Sequence, residues 1–257
     1  MRLREEVYYF DKESGSALVL ADTFDFLEKI DEESIDMIFA DPPYFLSNDG
    51  ISCSGGKAVS VNKGEWDKID SLEAKHEFNR SWIRLAKRTL KPNGTIWISG
   101  SLHNIYSVGM ALEQEGFKIL NNITWQKINP PPNLSCRYFT HSTETVLWAR
   151  KNDKKARHYY NYDLMKERNG GKQMKDVWMG SLTPLKEKKY GKHPTQKPEY
   201  LLEQIILSST KEEDLVLDPF VGSGTTCVVA KKLGRRYIGI DQEKDYLDLA
   251  IKRLQNS

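Results

Sequence analysis

The chain has 257 residues, 39% of them apolar and 29% charged, enough for one large α/β domain or two small ones. No apolar run approaches the ~18 residues of a membrane-spanning helix, and 27 aromatic side chains exclude a chain too polar to build a core. Net charge is +2, yet Arg150 to Lys192 carries 13 basic and 5 acidic side chains, which leaves a net −6 on the rest. A mildly acidic body with one basic segment suits a polyanion-binding insert or a solvated, lysine-rich loop.

The first apolar run, Ala17 to Ala21, predicts a strand ending at Asp22. Thr23 is then placed to cap a helix through about Ile30, with Phe24, Leu27 and Ile30 on one face. Ile35 to Ala40 is a second strand, stopped by Asp41-Pro42-Pro43-Tyr44 because two prolines cannot continue a ladder. Residues 45 to 70 hold Gly50, Gly55, Gly56 and Gly64, and a structureless loop of that length is usually functional. A helix follows from Leu72 to Leu90, with Phe78, Trp82, Leu85, Ala86 and Leu90 in a stripe. Lys91-Pro-Asn-Gly94 reads as a turn, and Thr95 to Ser99 as a strand.

The alternation continues with a helix near Tyr106 to Glu115, a strand near Ile119 to Trp125 and a strand at Glu144 to Ala149. Between 150 and 192 the pattern is lost. It resumes with a helix at Pro198 to Ser208, a strand at Leu215 to Leu217, and the glycine-containing Asp218-Pro-Phe-Val-Gly-Ser-Gly-Thr-Thr226 opening a helix to Leu233. Tyr237 to Ile240 and a last helix from Lys244 to Leu254 complete it. Strands separated by helices predict a doubly wound, mostly parallel sheet in the α/β class.

The Gly222–Gly224 turn joins a buried strand to a helix, so its backbone admits a ligand to the free N–H groups of the helix start. Asp241 ends the next strand, 23 residues after Asp218, where a carboxylate accepts hydrogen bonds from ribose hydroxyls. Cys227 stands where a dinucleotide fingerprint needs a third glycine, and no Gly-Lys-Ser/Thr of a phosphate loop occurs. Asp218 at the turn would repel a phosphate and suits the ammonium of S-adenosylmethionine. An ordinary tight turn is the plain alternative.

Asp41-Pro42-Pro43-Tyr44 lies at a carboxyl edge, where parallel sheets place ligands. Alkylation of an exocyclic amine needs this set. The adenine amine is a poor nucleophile, and a carboxylate (Asp41) with a rigidly held carbonyl (Pro42) can take its two hydrogens and turn the nitrogen tetrahedral. Tyr44 offers a face on which a base can stack. In a duplex the base must first be flipped out.

These residues, with Gly191-Lys-His-Pro-Thr-Gln-Lys-Pro198, resemble the amino-methyltransferases of restriction-modification systems. The catalytic turn precedes the cofactor turn, as in their β class of DNA adenine methyltransferases. The chain closes one helix after Asp241, so the neighbouring strand is expected at the N-terminus, a circularly permuted order. Asp41 to Asn48, Trp66 to Lys68, His76 to Gly100 and Ile119 to Arg150 are similar to the second, DpnA-like methyltransferases of DpnII-type systems, which act on adenine in 5′-GATC-3′.

The resemblance implies S-adenosylmethionine as cofactor and DNA as partner, duplex and single-stranded, with a homodimer common among such enzymes. His193, Thr195, Gln196 and Lys197 would line its methionine end, Lys197 pairing with the carboxylate, and Asp22 would approach its adenine. Pro219, Phe220, Gly222, Ser223, Gly224 and Thr225 belong to the cofactor turn. Residues 1–149 would form the catalytic half, 150–192 the target-recognition insert and 193–257 the cofactor half, with the 45–70 loop closing on DNA. Lys186, Lys188 and Lys189, together with Arg137 and Tyr138 after three prolines, are the expected DNA contacts.

Met1-Arg-Leu-Arg-Glu-Glu6 lacks the apolar stretch of a signal peptide, which predicts a cytoplasmic protein. Cys53, Cys136 and Cys227 fit neither a disulfide framework nor a zinc site, so no metal is expected. None follows a proline, which excludes the Pro-Cys nucleophile of cytosine C5 methylation. Cytosine-N4 methylation uses a similar amine mechanism and is the nearest rival, but that family more often carries serine at the position of Asp41. Protein-glutamine methylation, an RNA substrate and a non-catalytic DNA-binding module are the other readings. His76, His103, His141 and His158 are scattered, and Trp82, Trp97, Trp125 and Trp148 read as core.

Overall fold

A computed structural model describes residues 7–45 and 71–257, and the backbone of 51–54 and 57–60. Strands β1 (Val7–Asp11), β2 (Ser16–Leu20), β3 (Ile35–Ala40), β6 (Leu90–Gly100), β7 (Phe117–Lys127), β8 (Thr143–Lys151), β9 (Val177–Gly180), β10 (Leu215–Asp218) and β11 (Arg236–Asp241) form one sheet. Its order is β1-β2-β11-β10-β3-β6-β8-β7-β9. From β2 to β6 every neighbouring pair is parallel; β1 and β8 run against their neighbours. The N-terminal β2 lies beside β11, with Leu20 opposite Asp241.

Alternation along the strands divides the core. Ile38 and Ala40 of β3 pack with helices α1 (Thr23–Lys29), α2 (Leu72–Thr89) and α3 (Ile105–Gln114) through Phe26, Trp82 and Val108. Met37 and Phe39 face α5 (Glu199–Ser209), α6 (Thr225–Lys232) and α7 (Lys244–Leu254) through Leu202, Val228 and Leu247. Successive side chains of a strand point to opposite faces, so a sheet covered on both sides needs both sets apolar. Trp82, Trp97, Trp125 and Trp148 are all buried, and the rings of Trp97 and Trp148 stack at 4.8 Å.

Several local expectations are corrected. The cap of α1 is Asp22, whose Oδ1 accepts from the Phe24 amide at 2.8 Å, while the Thr23 hydroxyl donates to the Pro219 carbonyl. An ionised carboxylate is the stronger acceptor at a helix start. Lys91 to Gly94 belongs to β6 and makes no separate turn, because Leu90 already pairs with Ile35 through a register shift. A Cβ at Gly94 would lie 2.8 Å from the Asp36 carbonyl, so only glycine lets the strands close there.

The 45–70 loop is not wholly structureless: β4 (Ile51–Ser54) and β5 (Lys57–Ser60) pair as an antiparallel hairpin. Gly50, Gly55, Gly56 and Gly64, Trp66 to Lys68, the Cys53 side chain and Met1 to Glu6 lie outside the described residues. The patternless 150–192 segment contains α4 (Tyr162–Arg168) and β9, which joins the main sheet parallel to β7. Four-residue strands carry too little periodicity to be seen in sequence. Among the described residues no helix is long and apolar enough to cross a membrane.

Candidate active site

Four neighbouring parallel strands each lead into an aspartate at the same edge: β2 into Asp22, β11 into Asp241, β10 into Asp218 and β3 into Asp41. The two sequence motifs are far apart in the chain, and the pairing of Val216 with Met37 and Leu217 with Ile38 sets them side by side. This is the point where the strand order reverses, the crevice in which open α/β sheets hold ligands. A cavity of about 200 Å³ opens there.

Its walls include Asp22, Asp41, Pro42, Pro43 and Tyr44, then His193, Thr195, Gln196 and Lys197, and finally Asp218, Pro219, Phe220, Gly222, Ser223, Thr225 and Asp241. Every expected catalytic and cofactor residue therefore converges, with Gly224 the exception. Gly224 has φ +75°, and a Cβ on it would stand 2.6 Å from the Ala250 Cβ. Its absent side chain lets α6 approach α7, a packing role.

The cofactor side is organised by backbone amides. Asp241 accepts from the Gly222 amide at Oδ2 and the Glu243 amide at Oδ1, both at 2.9 Å, and a carboxylate has lone pairs left for a ligand's hydroxyls. Burial raises its carboxyl to about 6 against those bonds. Asp218 is more deeply buried, accepts from the Thr226 hydroxyl at 2.5 Å and the Phe220 amide at 3.0 Å, and is pushed up to about 7 by burial. Gly222 has φ +47°, and a Cβ there would lie 3.0 Å from His193 Nε2, so a side chain would intrude on the cavity wall. His193 is held edge-on against Tyr246 at 4.3 Å. Phe24 and Phe220 both contact Phe78 and give an apolar, aromatic wall near Asp22. A carboxylate with lone pairs to spare, a turn stripped of side chains and an aromatic wall fit S-adenosylmethionine.

The catalytic side differs from expectation at two residues. Tyr44 was expected to offer an open stacking face, but it is 7% exposed and donates its hydroxyl to Asp41 Oδ1 at 2.6 Å. Lys197 was expected to await the cofactor's carboxylate, but its ammonium contacts Asp41 Oδ2 at 2.6 Å, the Tyr44 oxygen at 3.1 Å and Glu144 Oε2 at 3.5 Å. A buried ammonium without a counter-ion is costly, so the nearest carboxylates hold it. Burial works against the charge of Lys197, and Asp41, Tyr44 and Glu144 outweigh it, holding the ammonium well above the ordinary lysine range.

The turn is also supported from below. Asn104 donates from Nδ2 to the Pro43 carbonyl at 3.1 Å, and its own Oδ1 accepts from Asn79 at 2.8 Å. Behind the cofactor turn, buried Arg253 donates to the Ser223 carbonyl and the Thr225 hydroxyl, both at 2.8 Å, and pairs with Glu199.

Sequence reasoning missed Glu144, Asn104 and Arg253. The signal for Arg253 was a lone cation on the apolar stripe of a helix; for Glu144, an acid opening an apolar strand. Asn104 carried no signal. Of the expected DNA contacts, Arg137 and Tyr138 sit on the β7–β8 connection, at the sheet edge that Gly100 and Thr145 share. Lys186 and Lys188 lie on a 3₁₀ turn (Leu185–Lys188) followed by Lys189, which is tied to the cavity wall where Gln196 donates to the Glu187 carbonyl at 3.0 Å. None of the five lines the cavity.

Residues 35–252 match the family described as DNA methylase, the N6 and N4 methyltransferases. The chain belongs to the DNA methylase family. It is 78% identical over 247 residues to the type II methyltransferase M2.DpnII of Streptococcus pneumoniae, covering 96% of this chain and 92% of that protein. The crystal structure of the M1.HpyAVI–SAM complex superposes with a TM-score of 0.68 at 31% identity, over 92% of this chain and 98% of that one. PvuII cytosine-N4-specific DNA methyltransferase reaches a TM-score of 0.74 at 21% identity, over 96% and 88% of the two chains. That last likeness shows the methyltransferase fold and does not choose between adenine and cytosine. Among the described residues no group of three or more His, Cys, Asp or Glu could hold a metal.

Proposed function

We propose that this DNA methylase transfers a methyl group from S-adenosylmethionine to the N6 amine of adenine in 5′-GATC-3′. It acts in the cytoplasm, on single-stranded as well as duplex DNA, within a restriction-modification system. The observation that carries the reading is the placement of Asp41 at the end of β3, one strand from the glycine turn that follows β10. Asp41, where cytosine-N4 enzymes more often carry serine, favours adenine N6 over cytosine N4, and the likeness to M2.DpnII supports the GATC site.

Bound in the cavity, S-adenosylmethionine supplies a sulfonium-activated methyl group, taken by the amine nitrogen as the carbon–sulfur bond breaks and its electrons return to sulfur. Asp41 accepts one amine hydrogen and the Pro42 carbonyl the other, which localises the nitrogen lone pair. Afterwards Asp41 takes the surplus proton and passes it to water. Two prolines and the Asn104 bond hold the turn rigid, so little reorganisation is needed as charge develops. Asp241 holds the ribose hydroxyls, and Asp22, Phe220, His193, Thr195 and Gln196 enclose the rest of the cofactor. The segment 150–192 carries target recognition, with Lys186, Lys188, Lys189, Arg137 and Tyr138 on the DNA backbone and two copies of the chain forming a homodimer.

Methylation of GATC oligonucleotides with labelled cofactor tests the core of this reading. Asp41→Ala is expected to slow transfer by about 10²–10³-fold while cofactor affinity stays close to wild type; a wild-type rate would reject the mechanism. Single-molecule mapping of the modified base in plasmid DNA must show N6-methyladenine, and N4-methylcytosine would overturn the substrate.

A further inference from the structure

Both oxygens of Asp41 are already engaged, Oδ1 by the Tyr44 hydroxyl and Oδ2 by the Lys197 ammonium, each at 2.6 Å. A charge-assisted bond of that length draws electron density out of the carboxylate and weakens it as an acceptor for the amine. On the far side of the ammonium stands Glu144. Its Oε1 accepts from Lys127 at 2.6 Å, and its Oε2 faces Lys197 at 3.5 Å, buried and without a hydrogen-bond partner. An unsatisfied buried carboxylate oxygen is costly. It is a ready acceptor facing the ammonium that occupies Asp41.

We propose that Glu144 is a positioning residue for methyl transfer, drawing the Lys197 ammonium off Asp41 as the base enters and freeing the oxygen that receives the amine hydrogen. The inference rests on the reading of Asp41 as the amine's acceptor. A displacement of less than about 1 Å along the line between the carboxylates turns the long contact into a charge-assisted hydrogen bond. Among the described residues, the ion pairs here link Asp41 to Lys197 and Glu144 to both Lys197 and Lys127, and the ammonium moves only between carboxylates already present. The hand-over therefore changes no buried net charge and moves no proton. Lys127 fixes the other Glu144 oxygen, so the receiving carboxylate stays in place. Although burial opposes it, Lys197 and Lys127 keep Glu144 ionised by holding its carboxyl below the ordinary range. Without Glu144, the ammonium has Asp41 as its one carboxylate among the described residues, and an incoming amine must compete with a buried ion pair.

The test is single-turnover methyl transfer to a GATC duplex at saturating labelled S-adenosylmethionine, comparing wild type with Glu144→Gln and Glu144→Asp. Glu144→Gln keeps the shape and loses the charge. Its transfer rate is expected to fall about tenfold, equivalent to about 1.4 kcal/mol, with cofactor and DNA affinities within about twofold; the melting midpoint falls too, because Lys127 loses its carboxylate, so rates are read well below it. Glu144→Asp restores the charge and recovers part of the rate. A full rate in Glu144→Gln, a parallel loss of cofactor affinity, or an Asp variant no better than the Gln variant would overturn the proposal. Asp41→Ala in the same assay separates the two readings. An inactive Asp41→Ala beside a fully active Glu144→Gln removes only the role of Glu144, whereas an active Asp41→Ala removes the parent mechanism.

Discussion

Asp218 is an acid that the fold keeps against its own solvation. It ends β10 at 3% exposure, and burial, reinforced by Asp41 and Asp241 and only partly offset by Thr226 and the Phe220 amide, lifts its carboxyl from 3.8 to about 7. The unfolded chain loses this proton near 3.8 and the folded protein near 7. Between those values the folded state holds the extra proton, so ionising Asp218 erodes stability as pH rises. The full cost, reached above about pH 7, is about 4 kcal/mol. Asp218→Asn keeps the size and one oxygen for the Phe220 amide, and the Thr226 hydroxyl can turn to accept from the new NH₂. In denaturant unfolding, the stability of the variant relative to wild type should rise by about 3 kcal/mol from about pH 5 to about pH 9. Other titrating groups are common to both proteins and largely cancel in the difference. A difference that is flat with pH, or that falls, would refute the argument that Asp218 is the strained acid.

Four further outcomes are expected. Asp241→Ala removes an acceptor for ligand hydroxyls and orphans the Gly222 and Glu243 amides, so calorimetry should find S-adenosylmethionine at least about tenfold weaker; unchanged affinity would take Asp241 out of the site. In wild type, cofactor affinity should decline as pH falls through about 6, where Asp241 takes up its proton, and a pH-independent affinity between about 5 and 8 would contradict this. Gly224→Ala forces a Cβ to 2.6 Å from Ala250 at φ +75°, and should destabilise the fold by about 1–3 kcal/mol in thermal unfolding, with a neutral result arguing against close α6–α7 contact. Charge reversal at Lys186, Lys188 and Lys189 should weaken DNA binding and reduce its logarithmic salt slope by about 2–3; an unaltered slope would return that cluster to the solvent.

The strands and helices with full periodicity were legible to within a residue or two. Ile35–Ala40 and Lys244–Leu254 match the expected bounds, and the stripe of Phe78, Trp82 and Ala86 marks the buried face of α2. What escaped were short elements: β1, β9 and the β4–β5 hairpin, strands of four or five residues made by pairing, and the seven-residue α4. The first five residues of β6 hid behind Pro92 and Gly94, which read locally as a turn.

The residue types and their order along the chain, Asp41-Pro42-Pro43-Tyr44 early and the Gly222–Gly224 turn with Asp241 late, by themselves determined the chemistry, because a carboxylate and rigid carbonyl serve an amine wherever they are placed. Tertiary structure alone decided the charge pattern around them. Hydrogen bonding between β3 and β10 made two distant turns adjacent, and the antiparallel return of β8 brought Glu144 to the same edge. Exclusion of water then made Lys197 choose among carboxylates, and no spacing along a chain encodes which charges will share a buried space.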